Sequence, residues 1–132
     1  MTKKYLLDTN IVSLIIRGNE KTLKELIKHP IGNIYISSIT EAEIHYGLAK
    51  RPLATQLRFK VEEFLKRVEC LSFNQSSAVE YGKLRASQEK SGITLSDLDM
   101  LIAAHAKAEQ MVLVTNDNAF KQLKHLKIEN WS

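Results

Sequence analysis

Tyr5-Leu6-Leu7-Asp8-Thr9-Asn10 is the stretch whose reading decides the fold. Three apolar residues make a short strand, an acid follows at once, and Thr9 can cap a helix over Asn10 to about Arg17. The same unit recurs down the chain. Lys21 to Lys28 is helical and stops at His29-Pro30, and Ile34-Tyr35-Ile36 is a second strand of β-branched and aromatic residues. Ser38 opens a helix through about Lys50, with Glu41 completing a capping box. Leu53 to Val68 is amphipathic, with Leu53, Leu57, Val61, Phe64, Leu65 and Val68 near one face. A short strand around Leu71 follows, then a helix from Ser76 to about Lys90 with Val79, Leu84 and Ala86 as apolar positions, broken by Ser91-Gly92. Ser96 to about Glu109 is an Ala-rich helix and Met111 to Thr115 a buried-type strand. A short helix over Ala119 to Leu123 and a last strand near Ile128 complete the pattern.

Strand–helix alternation implies a parallel sheet with helices on both faces. The predicted fold class is α/β, a three-layer α/β/α sandwich around a central parallel sheet of four or five strands, with residues 1–132 as one domain. In such sheets ligands bind beyond the carboxyl ends of the strands, where strand order reverses. Functional residues are therefore expected just after strands and in the first turns of the helices that follow them.

Composition narrows the class. At 132 residues, 44% hydrophobic and 26% charged, the chain is of ordinary globular make-up. A chain of this size buries roughly two-thirds of its unfolded surface, so no disulfide or structural metal is required. Cys70 is the only cysteine, which rules out an internal disulfide and a cysteine-rich zinc site and suits a reducing cytoplasm. The start Met1-Thr2-Lys3-Lys4 is basic, but the apolar run Tyr5-Leu6-Leu7 is too short for a signal segment. No stretch approaches the roughly 20 apolar residues of a membrane span. The net charge of +4 favours a polyanionic partner such as nucleic acid.

Four acids fall where that architecture places chemistry. Asp8 ends the first strand and Asp117 follows Val112-Leu113-Val114-Thr115-Asn116. Glu43 lies early in the helix after the second strand, and Asp99 in the first turn of the Ala-rich helix. Gathered carboxylates are costly to ionise together, and a hard divalent cation removes that cost. Two such ions about 3.5–4 Å apart can activate water and stabilise the leaving oxygen of a phosphodiester. Each acid also has a local explanation. Asp8 can cap the first helix, Asp99 can pair with Ser96, Asp97 can answer the helix dipole, and Asp117 sits in ordinary turn chemistry. Glu41 is assigned to Ser38 and left out. The argument rests on all four meeting at one edge.

Other features carry less. His29, His45, His105 and His125 show no metal-ligand spacing, and His105 reads as a packed core or interface residue. No phosphate-binding glycine loop is present. Lys50-Arg51 and Lys66-Arg67 read as solvated faces, and Trp131 as an anchor for the last strand.

Read together, these motifs resemble those of VapC-type PIN-domain toxins. Tyr5-Leu6-Leu7-Asp8-Thr9-Asn10-Ile11 is similar to the opening of that family, and Ser37-Ser38-Ile39-Thr40-Glu41-Ala42-Glu43-Ile44-His45-Tyr46-Gly47 to its second motif. Asp99-Met100-Leu101-Ile102-Ala103-Ala104-His105-Ala106 is similar to the third. Val114-Thr115-Asn116-Asp117 with Phe120, and the ending Ile128-Glu129-Asn130-Trp131, resemble the fourth motif and the tail. The match runs in order over nearly the whole chain. It implies a PIN-like fold and the toxin of a type II toxin–antitoxin pair, an endoribonuclease dependent on Mg²⁺ with Mn²⁺ as a substitute.

By motif position the resemblance makes Asp8, Glu43 and Asp99 the metal-binding acids and Asp117 a fourth, with Thr9, Ser38 and Thr115 supporting them. Asp97 departs from the family pattern in the stretch Ile93 to Leu98, and Asp99 is preferred because the apolar run follows it directly. The family further implies RNA as substrate, tRNA among the candidates, and a homodimer. It also implies a cognate VapB-type antitoxin, with operator DNA reached only through the antitoxin complex.

Other readings remain open at this point. A PIN-like module that binds RNA or protein without cutting would share these motifs, and metal-dependent cleavage separates the two. A receiver-type signalling domain needs paired acids at the first strand and a later strand-terminal Lys. A phosphatase needs Asp-x-Asp, but position 10 is Asn.

Overall fold

The computed structural model describes residues 3–92 and 94–132. Met1, Thr2 and Ile93 lie outside them, and with them part of the basic N-terminal start and the first residue of the stretch leading to Asp99. The elements follow in the order β1 (Tyr5–Leu7), α1 (Thr9–Ile16), α2 (Glu20–Leu26), β2 (Ile34–Ser37), α3 (Ser38–Ala49) and α4 (Thr55–Arg67). Then come β3 (Glu69–Leu71), α5 (Gln75–Ser91), α6 (Asp97–Ala108), β4 (Val112–Val114) and β5 (Ile128–Glu129). A 3₁₀ turn, Asn118–Gln122, takes the place of the expected short helix.

The five strands form one sheet in the order β3-β2-β1-β4-β5, with every pair parallel. The period-two alternation of the strands explains how it is covered. Tyr5, Leu7, Ile34, Ile36, Val112 and Val114 pack on one face with Ile11, Val12, Phe64 and Trp131. Leu6 and Leu113 point the other way, into Met100, Ile102, Ala103, Ala106 and Phe120. The predicted α/β/α sandwich is the observed architecture. β1 lies at the centre, and the chain turns to its other side on entering β4, so the switch in strand order falls between β1 and β4. The Asp8 backbone N–H donates to the Val114 carbonyl at 3.0 Å, which fixes the ends of both strands side by side.

Several local expectations need correction. Asp8, not Thr9, caps α1, its carboxylate accepting from the Ile11 N–H. Ser37, not Ser38, caps α3 by accepting from the Ile39 N–H, so no Ser38–Glu41 capping box forms. Two adjacent serines are equivalent as letters, and the extended backbone at Ser37 decides between them. Leu53 lies before α4 and is 92% exposed. Val79 and Ala86 are exposed on α5, because α6 covers the side of that helix that carries Leu84. Gly92 ends α5 at φ +70°, a left-handed cap that costs glycine nothing sterically.

Candidate active site

Asp8 stands at the switch point between β1 and β4. It is 4% exposed, and its Oδ1 accepts the Ile11 N–H at 2.9 Å. The Thr115 side chain adjoins the same carboxylate and favours its ionised form, while Thr115 Oγ1 accepts the Asp117 N–H at 3.1 Å. One buried threonine thus aligns two of the expected acids. Asp117 also accepts the Ala119 N–H at 2.9 Å, the turn chemistry expected of it. Asp99 is set by its own helix cap, with its N–H donating to Ser96 Oγ at 3.1 Å.

These three acids act on one another. Burial raises the Asp8 pKa above the ordinary Asp value, the hydrogen bonds from Thr115 and Ile11 oppose it, and the charges of Asp99 and Asp117 add to it. Burial likewise raises Asp99, against its bond with Ser96 and with the charge of Asp117 behind it. Glu43 is placed differently. Its Oε1 accepts the Thr9 hydroxyl at 2.6 Å, which ties it to the residue that follows Asp8.

Among the described residues none of the four acids is in a salt bridge, and no three acidic, histidine or cysteine side chains stand close enough to enclose an ion as they are. Like charge opposes closer approach until a cation neutralises it. The donor set is oxygen throughout, and two of its members hold their protons above the ordinary range. That chemistry fits a hard divalent ion such as Mg²⁺.

The other expected residues divide. Thr9 and Thr115 touch site acids. Ser38 does not; its Oγ accepts the Phe73 N–H at 3.0 Å and ties α3 to the segment before α5. Asp97 is exposed and lies 4.0 Å from Arg85, away from the acid group. Glu41 meets the Cys70 thiol and His45 instead. Lys50 and Arg51, read as a solvated face, line a groove of ≈ 380 Å³ that begins at Thr9 and Glu43 and has Val12, Ile16, Leu48 and Val61 along it. Trp131 is buried, stacked on His29 with ring centroids 4.8 Å apart, and is an anchor as expected. Two residues at the site were not anticipated. The Asn10 amide donates to the Asn116 Oδ1 at 3.5 Å, linking the loops that follow β1 and β4.

The PIN domain family matches residues 5–126. Ribonuclease VapC2 of Rickettsia felis is 39% identical over 132 residues, covering 96% of this chain and 97% of that protein. The chain belongs to the VapC family of PIN-domain ribonucleases. A second VapC relative, the tRNA(fMet)-specific endonuclease of Shigella flexneri, is 30% identical and covers 98% of both chains. The crystal structure of VapBC2 from Rickettsia felis bound to a promoter DNA fragment superposes with a TM-score of 0.89 at 37% identity, covering 97% of this chain and 98% of that one.

Within the VapC frame, the Thr9–Glu43 bond gives a direct prediction. Thr9→Val keeps the shape of the side chain and removes its hydroxyl. RNA cleavage should fall about tenfold, as for other groups that orient a ligand, with most of the loss recovered by Thr9→Ser. Steady-state cleavage rates of the three chains at saturating Mg²⁺ check it.

Proposed function

We propose that this chain hydrolyses RNA phosphodiester bonds at the edge shared by β1 and β4, with a divalent ion held by Asp8, Glu43 and Asp99 and with Asp117 as a fourth acid. Membership of the VapC family makes it a ribonuclease toxin. PIN-domain ribonucleases are generally dependent on a divalent metal, and Mg²⁺, with Mn²⁺ as its substitute, is the ion we assign here. What supports the assignment is that Asp8, buried at the switch point, feels the charges of Asp99 and Asp117, and that among the described residues none of the three is in a salt bridge.

A divalent ion held by these acids would neutralise phosphate charge and lower the pKa of an attacking water. The chain supplies the rest. The Ile11 N–H and the adjoining Thr115 hold the Asp8 carboxylate, Thr9 holds Glu43, and the paired ends of β1 and β4 fix Asp8 beside the turn that carries Asp117. Arg17, Lys50 and Arg51 along the adjoining groove offer cations to a polyanion.

A VapB-type antitoxin is the partner that neutralises VapC toxins. We assign one to this chain, along with a homodimer, action in the cytoplasm and tRNA as a substrate class. Exposed Tyr46, Leu53 and Phe59 offer apolar surface to protein partners. No helix among the described residues is long and apolar enough to cross a membrane.

The test is cleavage of bulk tRNA by the purified chain. Products should form with Mg²⁺, disappear with EDTA and return when Mg²⁺ is restored. RNA that is bound and never cut under these conditions would assign the chain to a non-catalytic binding module.

A further inference from the structure

We infer that His105 is a positioning residue: its buried hydrogen bond to Ser37 holds α3 and α6, and hence Glu43 and Asp99, at a set spacing. The inference rests on reading those acids as ligands of one divalent ion. Ser37 ends β2 and caps α3, accepting from the Ile39 N–H at 3.0 Å. Its other polar contact is His105 Nδ1 at 2.7 Å, a residue 68 positions away on α6. Both are fully buried. Glu43 is on α3 and Asp99 on α6, and no other side-chain hydrogen bond joins these two helices among the described residues.

One proton lies between Ser37 Oγ and His105 Nδ1, given by the hydroxyl or by the ring according to the tautomer. Burial pushes the His105 pKa down, so the ring is neutral at pH 7. Nε2 itself is buried with no partner. An apolar side chain would fill this place without that penalty, so packing alone does not account for a histidine here. What the histidine provides is Nδ1. Phe73 meets the ring edge-on at 5.5 Å, and its own N–H is held by Ser38, so both serines at the start of α3 fasten it to elements on the α6 side. In a dry interior such a bond is strong and directional. It opposes any splaying of the two helices that carry Glu43 and Asp99.

The test is Mn²⁺ binding to the full chain, read by electron paramagnetic resonance without RNA, beside thermal unfolding in EDTA. His105→Leu keeps the volume and removes the bond, Ser37→Ala removes the hydroxyl, and His105→Asn keeps a polar atom near the Nδ1 position. The Mn²⁺ dissociation constant should rise about tenfold in His105→Leu and in Ser37→Ala, and no further in the double variant. His105→Asn should bind more tightly than His105→Leu. A role in packing alone gives the reverse order, because Asn fills the core less well. Wild-type affinity in His105→Leu, or Asn weaker than Leu, overturns the inference. If His105→Leu does not fold, Ser37→Ala with unchanged affinity overturns it equally. A wild-type chain that binds no Mn²⁺ overturns the acid pocket itself and this inference with it, whereas binding that no variant disturbs overturns only the tie.

Discussion

Asp8→Asn should lower the rate of RNA cleavage by roughly a thousandfold without unfolding the chain. The reaction loses one full negative charge from the group that holds the ion, and Lewis-acid stabilisation of a phosphoryl transition state amounts to several kcal/mol, about tenfold in rate for each ~1.4. The fold should tolerate the change because the structural duty of Asp8 survives it. Asn caps helices as well as Asp does, so the acceptor for the Ile11 N–H remains. The amide also removes a carboxylate that burial and two neighbouring acids make costly to ionise. The melting temperature of the metal-free variant should therefore equal or exceed that of the wild type. Cleavage within tenfold of the wild-type rate would place the chemistry elsewhere.

The second large effect is on stability. Asp8 and Asp99 bind protons more tightly in the folded chain than an ordinary Asp of pKa 3.8 does, burial being the first cause in both. Between 3.8 and those raised values the folded state holds more protons than the unfolded one. These two groups therefore contribute full stability below the ordinary Asp range and lose it as pH rises through the window above. Glu25 and His105 are shifted downward and act in the opposite sense, so the wild-type curve alone mixes both signs. Comparison with Asp8→Asn isolates the pocket: the metal-free fall with rising pH should be shallower in that variant. A divalent ion at a hundred times its Kd adds about 2.7 kcal/mol, roughly 10 °C in Tm for a chain of this size. That gain should appear at neutral pH and vanish near the ordinary Asp pKa, where protons compete with the ion. A gain of equal size at both pH values would show that the ion binds somewhere other than these acids.

The site was legible in sequence to the extent that it depends on strand ends. Tyr5-Leu6-Leu7 and Val112-Leu113-Val114 are apolar triplets with sharp polar ends, so Asp8 and Asp117 could be placed without knowing the sheet. Glu43 and Asp99 followed from the helices that must return along such a sheet. What sequence did not reveal is long-range or decided by backbone angles. Thr9 reaches Glu43 across 34 residues and Ser37 reaches His105 across 68, and no local pattern announces either bond. Ser37 and Ser38 exchanged roles because the turn out of β2 comes one residue earlier than the capping-box spacing suggests. Val79 and Ala86 lie on α5 as apolar letters, yet which side of a helix is covered depends on where its neighbour sits.

Anomalous diffraction from crystals of the chain soaked in Mn²⁺ tests the central claim most directly. A peak in contact with the Asp8 carboxylate and bordered by Asp99 and Glu43 is the predicted result. Cleavage that depends on Mn²⁺ in solution, together with a peak only at another place such as the Glu41–His45 pair on α3, would contradict it.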